Sequence, residues 1–114
     1  MNNFENREFA NSLRKLYRSG GKSKTVFKKV ITLLERISKG DQNPFSGFTT
    51  INCSKQKIKN LVEYDAYDNY RLLTAVYGKN TIFLFVGTHE DVDKWFKKNS
   101  GIIITMNSNG LLKL

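Results

Sequence analysis

Apolar residues recur at helical spacing through the first forty positions, and the period then shifts toward two. Phe9, Leu13, Leu16 and Tyr17 form one stripe. It predicts an amphipathic helix over residues 4–18 with Arg14, Lys15 and Arg18 on its outer side. "SGGK" breaks that pattern. Ser23 is placed to cap a second helix whose buried stripe is Val26, Phe27, Val30, Ile31, Leu34 and Ile37. Gly40 is placed to end it in a left-handed turn. Lys24, Lys28 and Lys29 fall on the outer face, and so short a break implies an antiparallel helix pair.

Beyond the loop "GDQNPFSG", the segment "KIKNLVEY" alternates Ile58, Asn60 and Val62 with Lys57, Lys59 and Leu61, a strand pattern. "YDAYDN" reads as a polar turn. Tyr70–Tyr77 and Thr81–Gly87 are apolar on both faces, which places them inside a sheet. "THEDVDKWFKKN" predicts a short helix with Thr88 as N-cap and Asp91 completing a capping box. Val92, Trp95 and Phe96 are its buried edge. "GIIITM" and "LLKL" are two further strands about the turn "NSNG". The expected fold is α+β, one domain over residues 1–114. A helix pair packs on a mostly antiparallel sheet of four or five strands with one short inserted helix.

Composition sharpens this picture. At 39% hydrophobic residues the chain can bury one core, and the single Cys53 excludes an internal disulfide or a Cys-only metal cage. No apolar run reaches the roughly 20 residues of a membrane span, and Met1 to Glu5 do not read as a signal peptide. The expectation is a cytoplasmic protein with no membrane partner. The net charge is +9 and lopsided. Residues 1–40 hold ten basic and three acidic side chains, a balance of +7, leaving +2 for the remainder. Such a field attracts polyanions, so Lys24, Lys28, Lys29, Arg14 and Arg18 are candidate nucleic-acid contacts. The alternatives are an acidic protein partner in place of nucleic acid, or simply a solvated pair of lysine-rich helices.

Candidate chemistry lies at one end of the predicted hairpin. With a three-residue loop, Arg71 faces Gly87, and His89 lies diagonally on the same face, roughly 7–8 Å away. A two-residue loop slips that register by one. Arg71 can hold phosphate oxygens and stabilise transition-state charge; alternatively it pairs with Asp65, Asp68 or Asp91. His89 can serve as acid or base, or be an exposed ring at a helix start. Lys57 and Lys59 share a strand face and can add phosphate contacts. In "HEDVD" only His89 and Asp93 have helical ligand spacing, so no metal site and no cofactor is expected.

The order of elements resembles the RelE/ParE superfamily of small bacterial toxins, in which a hairpin strand opens "YR" as in "NYRLLTAVY". "FLFVGTHEDVDKWF" is similar to the helicase-associated RelE-like branch ending H-x-x-A-x-[KR]-W, here His89, Val92, Lys94 and Trp95. The resemblance spans roughly Phe9 to Lys98 and implies a concave basic sheet face holding RNA. It further implies metal-independent cleavage of messenger RNA, on the ribosome, by ribose 2′-hydroxyl attack, and an antitoxin protein as partner. In that scheme Arg71 matches the transition-state arginine, His89 an acid or base, and Lys57 and Lys59 the basic residues before the hairpin. The chain departs from the pattern in three places. Asn2 and Asn3 lead straight toward helix, so the family's N-terminal strand is missing and "GIIITM" is a substitute from the other end. The chain after Trp95 is long, and "EYDAYDN" is an acidic turn. The competing readings are a noncatalytic RNA- or DNA-binding module and a ParE-like inhibitor of DNA gyrase.

Overall fold

The chain order is β1 (Asn2–Glu5), α1 (Arg7–Ser19), α2 (Gly21–Ser38), β2 (Thr49–Ile51), β3 (Leu61–Tyr67) and β4 (Tyr70–Tyr77). It continues with β5 (Asn80–Thr88), α3 (His89–Lys98), β6 (Ile104–Asn107) and β7 (Gly110–Lys113). The computed structural model describes residues 2–5, 7–51, 60–78, 80–99, 104–107 and 110–113. Five strands form one sheet in the order β1-β5-β4-β3-β2, while β6 and β7 pair with each other in a second sheet. Strands β2 to β5 run antiparallel, and β1 lies parallel to β5. The class is α+β, with the two doubly apolar strands, β4 and β5, inside the sheet as their composition requires.

Three local expectations are corrected. Asn2–Glu5 form an edge strand rather than helix, registered from Asn2 opposite Asn80 to Glu5 opposite Phe83. Four residues carry too little alternation to announce a strand; the free edge of β5 supplies the pairing. Correspondingly, β6 does not fill that edge. Ser23 does not cap α2, which starts at Gly21 after Gly20 without a side-chain cap. It sits inside the helix, buried, with its hydroxyl 2.7 Å from that of Tyr70. Finally, β3 runs through most of the expected turn "YDAYDN". The reversal is confined to Asp68 and Asn69, both at positive φ (42° and 70°), the backbone of a two-residue hairpin loop. A bulge at Ala66 lets this happen, turning that residue fully into the core.

Other boundaries hold. Gly40 adopts φ 77°, its amide donates to Ile37 O and the next amide, of Asp41, donates to Arg36 O. These two bonds satisfy the last carbonyls of α2 in a Schellman turn, which a Cβ-bearing residue makes at a cost. Thr88 and Asp91 form the expected reciprocal capping box on α3.

The sheet is covered on both faces. On one, Phe9 and Leu16 of α1 and Val26, Val30, Leu33 and Ile37 of α2 pack over Leu72, Phe83 and Val86. Phe45 of the loop before β2 stacks on Tyr64 at 4.5 Å and closes that side. On the other, Val92, Trp95 and Phe96 of α3 cover Leu73, Ala75, Ile82 and Leu84. No helix among the described residues is long and apolar enough to cross a membrane.

Candidate anion site and the groove beside it

The β4–β5 connection is a two-residue loop, with Tyr77 opposite Asn80. That loop alone would slip Arg71 off Gly87. The ladder shifts once, however, between Leu73 and Thr74, where Phe85 and Phe83 are the successive partners and Leu84 is the extra residue. The bulge restores Arg71 opposite Gly87 and Tyr70 opposite Thr88. A Cβ at Gly87 would stand 3.0 Å from the Asp91 Cβ and 3.0 Å from the Phe85 ring, so any larger residue there makes those neighbours give way.

Arg71 is not an open cation. It shares the α3 side of the sheet with Leu73 and Ala75, and its side chain is 18% exposed. Its Nε lies 3.6 Å from a carboxylate oxygen of Glu63, which is 7% exposed, and its Nη1 lies 3.7 Å from Asp65, which is 47% exposed. The same Nη1 donates to the Tyr70 carbonyl at 3.4 Å. These are loose ion pairs, longer than the roughly 2.7–2.9 Å of a charge-assisted hydrogen bond. Asp65 was foreseen as a partner and Glu63 was not. The β3–β4 register explains both: Asp65 is directly opposite Arg71, and Glu63 is its diagonal neighbour on the same face. The signal was present in "VEYDAY", but reading "YDAYDN" as a turn removed Asp65 from the strand.

His89 opens α3. Its amide donates to Asn69 O at 2.9 Å, and its Nε2 lies 3.5 Å from Asp93 one turn on, with the ring 49% exposed. Among the described residues, Arg71 and His89 make no hydrogen bond or ion pair with each other. Lys57 and Lys59 lie outside the described residues. No cluster of three or more His, Cys, Asp or Glu side chains suited to a metal occurs among the described residues.

The candidate nucleic-acid residues divide. Lys29 donates to the carbonyl of the bulged Ala66 at 2.6 Å and lies 4.8 Å from the Phe48 ring centre. Lys24 lies 5.0 Å from the centre of the Tyr17 ring, and Arg14 donates to Asn11. Nearby Lys22 pairs with Asp68, whose hydrogen bond and charge raise the lysine pKa above its usual value. Lys28 and Arg18 are exposed and have no side-chain hydrogen bond or ion pair among the described residues. Lys28 borders a cavity of about 270 Å³ beside Arg36 and Phe48.

A larger groove, about 550 Å³, lies between α1 and α3 along the end of β5, and neither Arg71 nor His89 lines it. Leu16, Phe85, Val86 and Trp95 give it an apolar floor, with Lys15 and Lys94 on its two helical walls. Buried Ser12 donates to Phe9 O and accepts the Val86 amide at 3.1 Å. Glu8 accepts the Trp95 indole N–H at 2.9 Å and the Lys98 ammonium at 3.4 Å, bridging the two helices.

No protein-family model matches the chain, and no curated protein sequence matches it. A solved structure is similar: a copper-bound mutant toxin from Helicobacter pylori, with TM-score 0.54 and 20% identity over 81% of this chain and 98% of that one. At such identity the likeness speaks for the fold.

Proposed function

We propose that the protein is a RelE-like toxin acting on RNA, a metal-independent endoribonuclease that cuts ribosome-bound messenger RNA. Support comes from the fold shared with a solved toxin. The observation that carries the reading is how Arg71 is held on an interior strand of that fold. Buried Glu63 sits beside Nε, and half-exposed Asp65 loosely covers Nη1. A substrate phosphate takes the place of Asp65 while Glu63 keeps the guanidinium oriented. The ribose 2′-oxygen then bonds to phosphorus and the bond to the 5′-oxygen breaks, leaving a 2′,3′-cyclic phosphate and a 5′-hydroxyl end. Arg71 stabilises the charge gathering on the phosphoryl oxygens. His89 takes the proton from the 2′-hydroxyl or supplies one to the departing 5′-oxygen, and Lys57 and Lys59 contact the phosphate. An antitoxin protein covering the basic face is the partner.

A second reading has its own observation. Asp65 and Asp93 stand beside Arg71 and His89, while Arg18 and Lys28 stay open. This favours a noncatalytic nucleic-acid-binding module. Mapping 5′-hydroxyl ends on ribosome-bound messenger RNA incubated with the purified protein separates the two. The nuclease produces new ends. Arg71→Lys, which keeps a charge beside Glu63, reduces them at least about a hundredfold without abolishing RNA retention. Asp65→Asn, which removes the competitor, raises cleavage a few-fold. Retention of RNA with no new ends leaves only the binding module, and RNA neither held nor cut rejects both.

A further inference from the structure

Neither Arg71 nor His89 lines the groove between α1 and α3, and its walls differ from those of the arginine site. We propose that it binds a small amphipathic anion, an aromatic or branched apolar body carrying one carboxylate or sulfonate. Its volume, about 550 Å³, falls within the roughly 300–1,000 Å³ of small-molecule sites, which pair an apolar lining with a few polar groups. Leu16 from α1, Phe85 and Val86 from β5 and Trp95 from α3 provide that lining.

The charges are sorted before any ligand arrives. Both acids of the groove are in use: Glu8 takes the Trp95 indole and Lys98, and Asp91 takes the Thr88 amide. Lys15 and Lys94 have no side-chain hydrogen bond or ion pair among the described residues. An anion entering between the two helices therefore meets uncommitted positive charge without having to displace a carboxylate. At the Arg71 site it must displace one.

The edge of β5 excludes an extended peptide as the occupant. Strand addition needs free main-chain donors. Beyond Phe83, where β1 ends, the Val86 amide is bonded to Ser12 Oγ and the Thr88 amide to Asp91. The edge is closed by side chains, which leaves a pocket suited to a compact ligand.

The test uses the whole chain and 8-anilinonaphthalene-1-sulfonate as probe. Trp95, the only tryptophan, lines the groove and serves as energy donor. Saturable one-to-one binding with quenching of Trp95 is expected. The probe is displaced competitively by 1-naphthaleneacetate and not by uridine 3′-monophosphate. Exposed lysine–anion pairs each contribute modestly, so Lys15→Ala with Lys94→Ala weakens binding about tenfold. Lys28→Ala, on α2 and outside the groove, leaves it unchanged. Failure to saturate below millimolar probe, equal binding by the double variant, or equal binding by the uncharged N-phenyl-1-naphthylamine overturns the proposal. Displacement by the nucleotide as readily as by the naphthalene acid also overturns it, in favour of a phosphate site.

Discussion

Arg71 and the lysine pair Lys15 and Lys94 are all cations at the same end of the molecule, yet their surroundings are opposite. Arg71 is mostly buried and lies between two carboxylates; the lysines are exposed on helix walls, and the acids near them already have other partners. Formal charge therefore does not locate an attractive surface. What matters is which cations the fold has already neutralised. The same division runs through α2, where Lys22 and Lys29 serve the sheet and Lys28 remains open.

Substitutions test this contrast, beginning with the largest effect. Arg71→Ala takes one cation from beside the buried Glu63 carboxylate and costs about 3 kcal/mol in urea unfolding, at the lower end of what breaking a buried pair costs. A loss below about 0.5 kcal/mol would mean that Arg71 is not structurally committed. Gly87→Ala forces a methyl group against Asp91 and Phe85 and costs about 2 kcal/mol by overpacking. Because Asp91 belongs to α3, amide exchange in the first turn of that helix should quicken in parallel. Ser12→Ala strips the Val86 amide of its acceptor at the groove floor and costs about 1–2 kcal/mol. Lys15→Ala and Lys94→Ala, by contrast, change stability by less than about 0.5 kcal/mol, since they break no bond among the described residues.

The smallest effect is a pH dependence on the helix-covered face. Burial raises the Tyr64 phenol above its ordinary 10.0, because the phenolate is poorly solvated beneath Phe45 and Phe48. A raised folded-state pKa means that this contribution is fully present below pH 10.0 and is lost as pH climbs through the folded value. Lys22, raised by Asp68, adds a loss of the same sign starting above 10.5. Denaturant midpoints measured from pH 9 to 11 should fall less steeply for Tyr64→Phe than for the wild type.

Much of the architecture was legible because it rests on long periodic runs. The stripes of α1 and α2 and the doubly apolar β4 and β5 repeat a local signal over many residues, and the capping box of α3 is a complete motif within four. β1 was not legible, since four residues next to a helix have no period of their own and pair only because β5 offers an edge. Reading "YDAYDN" as a turn failed for a related reason. Acidic residues and a small alanine look like a reversal, whereas the Ala66 bulge extends the strand and points that alanine inward.

Alternation, capping and turn chemistry along the chain were enough to determine an α+β domain, its interior strands, the start of α3 and the presence of Arg71 near the start of a strand. These are properties of neighbours in sequence. Only tertiary structure decided that Leu84 bulges to restore the Arg71 register, that Glu63 and Asp65 gather beside that arginine, and that α1 and α3 leave a groove between them. Register, charge pairing and cavities depend on residues far apart in the chain, and their geometry exists only once the sheet has closed between its helices.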